Sequence, residues 1–116
     1  MLGLDQTRVQ ELLQMEQVRA NCHGTMLYLF GLRNHPTGTP SVVMERALGR
    51  YFQPDSQGNL IGFYDWEGLF HSALLLPERR ILHLDHARLV ETSLEECLNL
   101  LSCCGADPRI VAYSLK

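Results

Sequence analysis

The stretch that decides the fold is Asn21-Cys22-His23-Gly24-Thr25-Met26-Leu27-Tyr28-Leu29-Phe30. Within it, a short polar segment passes into an apolar run with helical spacing. Asn21 is a favoured helix-capping residue, so the sequence predicts a buried helix whose first turn carries Cys22. The helix dipole favours a thiolate there, and the unpaired backbone N–H groups of the first turn can stabilise an oxyanion. Cys22 is therefore a candidate nucleophile, although a cysteine beside a helix start is more often a buried structural residue.

The composition is that of a single globular domain, expected to span residues 1–116, with a net charge of −3. Lysine and arginine are not clustered and no apolar stretch is long enough to cross a bilayer, so we expect neither nucleic acid nor a membrane as partner. The first residues lack the basic and apolar regions of a signal peptide. The four cysteines, Cys22, Cys97, Cys103 and Cys104, fit no zinc finger and indicate free thiols in a reducing compartment.

The N-terminal half is predicted to form three helices followed by a turn region. Their expected bounds are 5–19, 22–31 or 22–32, and 42–51, with the turn region at 52–59. Asp5, Asn21 and Ser41 are the expected N-caps because their short polar side chains can accept a hydrogen bond from a free N–H of the first turn.

The C-terminal half is predicted to change from helical to strand periodicity. The expected strands are 60–66, 69–76, 81–85 and 109–115. A capping box at 93–96 opens one more helix, which is expected to end near Cys103 and Gly105. Helices come first and a meander of strands follows, so the sequence predicts an α+β fold with an antiparallel sheet.

Two histidines lie inside strands that are otherwise apolar, His71 in the second predicted strand and His83 in the third. A buried polar side chain requires a hydrogen-bonding partner. A tight, near-symmetric turn at 77–80 would place the two histidines roughly opposite each other on one face of the sheet. Two imidazoles on one face can act as a general base and the group that orients it, which is what a cysteine nucleophile requires.

Four segments resemble motifs of the NlpC/P60 superfamily of papain-like cysteine peptidases. They are 21–24 for the cysteine motif, 58–63 for the first strand, 71–75 for the strand that carries the base, and 81–83 for the strand that carries its partner. The spacings, 49 residues from Cys22 to His71 and 12 from His71 to His83, are similar to those of compact members. The chain departs from the family's usual residues at 21, 23 and 59, where the family favours aspartate, serine and aspartate.

The resemblance implies a compact papain-like domain and a cysteine hydrolase that cleaves a peptide or isopeptide amide without a cofactor. Cys22 would be the nucleophile, His71 the base and His83 the group that orients the base. The usual substrate of the family is a peptidoglycan stem peptide, so a peptide or peptidoglycan fragment is the expected partner. His23, beside the nucleophile, and Trp66, at a hairpin tip before the base strand, are candidate substrate contacts.

Other interpretations of the same residues stay open. The fold could serve as an inactive binding module, or the triad could catalyse transacylation or deamidation. Asp85 or His86 could replace His83 after a small register shift. Zinc could bind Cys22, His71 and His83, but the sequence contains no closely spaced ligand pair, and we expect no metal.

The expected location is cytoplasmic, or outside the cell after delivery by a secretion system that needs no signal peptide. An effector of that kind would have an immunity or regulatory protein as a second partner. These two expectations rest on analogy with papain-like amidases.

Overall fold

In the computed structural model, which describes residues 3–103 and 107–116, four helices pack on the two faces of a six-stranded antiparallel sheet. The helices are α1 (Gln6–Gln14), α2 (Cys22–Leu29), α3 (Ser41–Tyr51) and α4 (Leu94–Cys103). The strands are β1 (Phe52–Pro54), β2 (Leu60–Asp65), β3 (Gly68–Leu76), β4 (Arg80–Asp85), β5 (Arg88–Ser93) and β6 (Arg109–Leu115). The predicted α+β class with an antiparallel sheet is confirmed.

The sheet has the strand order β1-β6-β2-β3-β4-β5, so β3 is a central strand. Alternate side chains point to opposite faces of a strand, which divides the core in two. Leu74 of β3 belongs to the core cluster that includes buried residues of α1, α2 and α3, whereas Ala73 belongs to the cluster that includes Leu94 and Cys97 of α4. We call these the α2 face and the α4 face of the sheet.

Helix α2 forms the centre of the core on the α2 face, as the sequence predicts. Every residue from 23 to 29 is buried, and Asn21 caps the helix by accepting a 2.9 Å hydrogen bond from the Gly24 N–H. Because the helix is apolar on all sides, loops and the other helices must cover the part of its surface that the sheet leaves free. Cys22, in the first turn, is only half-buried.

Helix α1 is shorter than predicted because a tertiary contact competes with its continuation. Asp5 caps it as expected, but the helix ends at Gln14 instead of near residue 19. The Val18 N–H bonds to the Ala87 carbonyl at 2.7 Å, and the Val18 side chain is 1 % exposed. Docking on the turn between β4 and β5 therefore takes these residues out of the helix.

The expected cap at Ser41 is wrong. Pro40 occupies the N-cap position, Ser41 is the first residue of α3, and no side chain caps this helix. The Ser41 hydroxyl lies instead 3.2 Å from a ring nitrogen of His23. The cap expected for α4 is confirmed by the 3.0 Å hydrogen bond from the Glu96 N–H to the Ser93 hydroxyl.

Two short strands extend the predicted sheet. β1 lies in the region assigned to turns and pairs with β6, and β5 follows β4 after a two-residue turn. Helix α4 extends to Cys103 as expected, and Gly105, expected to end it, lies outside the described residues. Among the residues that are described, no helix is long and apolar enough to cross a membrane.

Candidate functional site

The two strand histidines form a pair. His71 Nε2 lies 3.0 Å from His83 Nδ1, and the two rings meet edge to face with centroids 5.2 Å apart. The His71 ring also packs against Phe63, which is fully buried on the α4 face. The expected contact between these histidines is therefore present, and the imidazoles lie on the side of the sheet that α4 covers.

The register that produces this pair differs from the expected one by two residues. The ladder between β3 and β4 pairs Leu74 with Leu82 and Leu76 with Arg80, so its continuation sets His83 opposite Ala73. His71 is thus a diagonal neighbour of His83. Because a shift of two residues keeps every side chain on its face, the two imidazoles still meet.

Both histidines of the pair are easier to keep neutral than an ordinary histidine. Burial, then the charges of His83 and His23, lower the pKa of His71 to about 4, and the charge of Asp85 opposes that shift. Burial also lowers the pKa of His83, again opposed by Asp85. Each neutral ring carries one N–H, so at this contact the N–H of one ring donates to the unprotonated nitrogen of the other.

The Cys22 thiol lies beside β3, next to Ser72, the residue that follows His71 in that strand. Burial raises the pKa of its thiol, and hydrogen bonding from the backbone N–H and the hydroxyl of Ser72 lowers it by less. The backbone N–H groups of Cys22 and His23 lower it further, as expected for a sulfur at a helix start. The thiol is therefore protonated at neutral pH when no base assists it.

No hydrogen bond within 3–103 and 107–116 joins the Cys22 thiol to either imidazole of the pair. Consecutive strand residues point to opposite faces, so Ser72 contacts the thiol while the His71 ring points to the α4 side. The Nδ1 atom of His71 makes no hydrogen bond to a described residue, since Nε2 is the atom that meets His83. That nitrogen is available to accept a proton.

His23 has a structural position in place of the expected substrate contact. It is 2 % exposed, and its two ring nitrogens lie 2.9 Å from the Ser72 hydroxyl and 3.2 Å from the Ser41 hydroxyl. The ring therefore ties α2 to β3 and α3, and neither nitrogen is left for a substrate. Ser72, which sequence reasoning missed, links His23 to the Cys22 thiol, and its only sequence signal is a hydroxyl within an apolar strand.

The other sequence candidates make no hydrogen bond to the pair in the described part of the chain. Trp66 is 91 % exposed in the turn between β2 and β3, and its role as a substrate contact stays a prediction. His86 and Asp85 pair with each other at 3.5 Å, and both side chains are exposed. His83, and neither of these two, is the residue that meets His71.

A cavity of about 440 Å³ opens beside the histidine pair on the α4 face. Its walls are mainly apolar and include Phe70, Leu84 and Leu101, with Asp85 at the rim. Cys97 of α4 also lines it and is 4 % exposed. Sequence reasoning took Cys97 as a free thiol and missed that it lies beside the two histidines.

Asn21 holds the helix start that presents Cys22. Besides capping Gly24, its side-chain oxygen accepts a 3.0 Å hydrogen bond from the Thr39 N–H, and its amide donates to the Thr39 carbonyl at 2.6 Å. Three hydrogen bonds from one side chain therefore fix α2 to the loop before α3. Aspartate at this position would keep the two acceptor contacts and lose the donor.

We expect Asn21→Ala to lower the free energy of unfolding by about 2 kcal/mol, the upper end for an N-cap, because the Thr39 contacts are lost with it. Asn21→Asp is the matched control and should lose about 1 kcal/mol, one hydrogen bond. Urea denaturation of the three proteins measures both effects. Equal stability of Asn21→Ala and the native chain would show that the three Asn21 hydrogen bonds do not stabilise the start of α2.

A second expected result concerns acid stability. Burial lowers the pKa of His23, and the negative charge of Glu45 opposes this shift. The unfolded chain, with an ordinary histidine pKa of about 6.5, therefore takes up a proton before the folded chain does. Stability that is present above that pH is lost as the pH falls toward the folded-state value.

His23→Gln tests this link because a glutamine amide can still bond to Ser72 and Ser41 and does not titrate. We expect the free energy of unfolding to fall less steeply below about pH 6.5 in the variant than in the native chain. His71 and His83 still contribute, so the slope should shrink without vanishing. Urea denaturation at several pH values measures it, and identical slopes would show that His23 does not titrate in this way.

Comparison of the chain with protein-family models, with curated proteins and with solved structures finds no significant match. The resemblance to the NlpC/P60 superfamily stays a prediction that rests on the residues quoted for it.

Proposed function

We propose that this protein is a papain-like cysteine hydrolase that cleaves an amide bond. Cys22 is the nucleophile, His71 the base and His83 the group that orients the base. The observation that carries the proposal is the 3.0 Å contact between His71 Nε2 and His83 Nδ1. It leaves His71 Nδ1 without a hydrogen bond to any described residue, and His71 is the strand neighbour of Ser72, which contacts the Cys22 thiol.

The proposed chemistry begins from a neutral thiol and a neutral imidazole. When His71 donates its Nε2 proton to His83 Nδ1, its Nδ1 atom holds a lone pair. The His71 ring points away from the thiol in this structure, so the proton is routed through one bridging water. Nδ1 takes a proton from that water, and the water takes the proton of the Cys22 thiol as the sulfur forms a bond to the substrate carbonyl carbon. The proton on Nδ1 passes to the leaving amine as the C–N bond breaks, and water then hydrolyses the thioester.

The start of α2 supports the charge that develops in this reaction. The Cys22 and His23 backbone N–H groups lower the pKa of the Cys22 thiol, and the first turn has no internal acceptors for them. Such groups stabilise the oxyanion of a tetrahedral intermediate, and one donor contributes about 10²- to 10³-fold in rate. We assign this role to the Cys22 N–H.

A substrate panel tests the proposal. The native chain and Cys22→Ala are incubated with muropeptides, linear peptides and isopeptide-linked peptides, and the products are identified by mass spectrometry. We expect cleavage of at least one amide class by the native chain and none by Cys22→Ala, with equal thermal stability of the two proteins. Cleavage that survives Cys22→Ala, or no cleavage across the panel, would contradict the proposal.

A binding module that keeps the papain-like fold is the second candidate. The observation that favours it is the lack of a hydrogen bond between the Cys22 thiol and either imidazole among the described residues. This candidate predicts that native chain and Cys22→Ala bind the same peptide with equal affinity in calorimetry and that neither consumes it. Transacylation or deamidation by the same triad would give products of different mass in the same panel when a free amine is added.

A further inference from the structure

One set of three metal-binding side chains converges on the α4 face of the described structure. His71, His83 and Cys97 each offer one ligand atom, and these atoms all lie within 4.8 Å of one another. They come from β3, β4 and α4, so no local sequence spacing reveals them. This ligand set contains Cys97, whereas the possible zinc ligands considered from the sequence were Cys22, His71 and His83.

The three side chains are held in place by packing. Cys97 is 4 % exposed, and its helix is anchored by Leu94, which is 2 % exposed, and by the Ser93 cap. The His71 ring packs on Phe63 and the His83 ring, so its direction is fixed as well. A ligand set fixed before the metal arrives loses little conformational freedom on binding.

We propose that His71, His83 and Cys97 bind a Zn²⁺ ion. Two imidazole nitrogens and one thiolate are ligands that zinc accepts in tetrahedral sites, with the fourth position open. Bond lengths of about 2.0–2.1 Å to nitrogen and 2.3 Å to sulfur place tetrahedral ligand atoms about 3.3–3.6 Å apart. The 3.0 Å separation of the histidine nitrogens and the 4.8 Å limit on the whole set require only small side-chain rotations.

The surroundings suit a divalent cation. The cavity of about 440 Å³ provides an entry path and room for water as the fourth ligand. Asp85 lines this cavity, and its negative charge, with that of the thiolate, balances the two positive charges of the ion. On binding, Cys97 releases its thiol proton to solvent and the nitrogen lone pairs go to the metal, so no oxidant or reductant is needed.

Zinc binding stands apart from the proposed hydrolase, and only its effect on activity rests on that proposal. An ion that takes the lone pairs of His71 and His83 removes both the base and the group that orients it. If Cys22 is the nucleophile, zinc should therefore inhibit amide cleavage reversibly, and a chelator should restore it. The binding experiment below does not depend on any substrate.

The test uses the full chain with Cys22, Cys103 and Cys104 changed to alanine, so that Cys97 is the sole thiol. The metal-free protein is titrated with Co²⁺, whose thiolate charge-transfer and d–d bands report a tetrahedral site with sulfur, and then with Zn²⁺ in competition. We expect one Co²⁺ per chain with a thiolate band, and its displacement by one Zn²⁺. His35→Ala, in the exposed loop before α3, should leave both titrations unchanged.

Adding Cys97→Ala should abolish the thiolate band and weaken Zn²⁺ binding by at least about 100-fold, more than the loss of an outer-shell partner. His83→Gln keeps the thiol and should weaken binding as strongly, so the result does not depend on one variant that fails to fold. Circular dichroism checks the fold of each. Equal Zn²⁺ affinity with and without Cys97, or no thiolate band in the parent protein, would overturn the zinc site whether or not the chain is a hydrolase.

Discussion

His71→Ala should lower kcat/KM for amide cleavage by about 10²- to 10⁴-fold, the contribution of a positioned general base. His71 is assigned as the base because it adjoins Ser72, which contacts the Cys22 thiol, and because its Nδ1 makes no hydrogen bond to a described residue. His83→Ala should cause a smaller loss, because it removes the partner that orients the base and leaves the base itself. Initial rates with a substrate from the panel measure both effects.

Two further variants test whether a loss of kcat/KM is specific to the proposed base. His35→Ala is the matched control, a histidine in an exposed loop, and should leave kcat/KM unchanged. His23 is the competing base because it reaches the Cys22 thiol through the Ser72 hydroxyl. A large loss with His23→Gln and none with His71→Ala would contradict the assigned roles and would place the base on the α2 face.

Gly24→Ala should destabilise the protein by about 3 kcal/mol or more, the upper range for overpacking a well-filled core. An added Cβ at this position would overlap the carbonyl oxygen of Thr37 and would also press on the Thr39 side chain. Both contacts belong to the loop that Asn21 ties to the start of α2, so relief requires α2 or this loop to move. Urea denaturation measures the change.

Gly49→Ala is the matched control because Gly49 is also helical and has no atom within 4 Å of an added Cβ. Alanine in place of glycine favours an exposed helix by about 0.5–1 kcal/mol, so this variant should be more stable than the native chain. Equal effects at the two glycines would show that the space around Gly24 does not matter. If Gly24→Ala still folds, its slower cleavage would reflect displacement of Cys22.

Sequence alone predicts the parts of the fold that depend on local patterns. The cap at Asn21 and the apolar run that follows it predict α2. The structure buries every residue from 23 to 29, so the apolar pattern reflects the helix's position in the core. The strands on either side of residue 77 are predicted because the runs 69–76 and 81–84 are apolar except for His71, Ser72 and His83.

The missing elements lack local signals. The turn between β4 and β5 uses His86 and Ala87, both with positive φ, where glycine or asparagine would have indicated a hairpin. Without that signal β5 is not visible in the sequence. The early end of α1 depends on a backbone hydrogen bond from Val18 to a turn almost seventy residues away, which no helix propensity records.

The candidate site also has one feature that local sequence patterns predict and others that depend on tertiary packing. The pairing of His71 and His83 follows from strand alternation and tolerates an error of two residues in register. The positions of Cys97 and Ser72 relative to that pair depend on where α4 and α2 dock, which is a tertiary property. In the sequence His23 is a candidate substrate contact beside Cys22, whereas burial and two hydroxyl partners make it part of the scaffold.

The most direct test of the central claim is to find which cysteine an acylating reagent modifies. The native chain is treated with a limiting amount of an activated acyl ester, and peptide mapping by mass spectrometry assigns the adduct among Cys22, Cys97, Cys103 and Cys104. A cysteine hydrolase with the proposed triad predicts one thioester, on Cys22, that forms about 100-fold or more slowly in His71→Ala. Acylation spread over the four cysteines, or acylation of Cys22 at the same rate in His71→Ala, would contradict it.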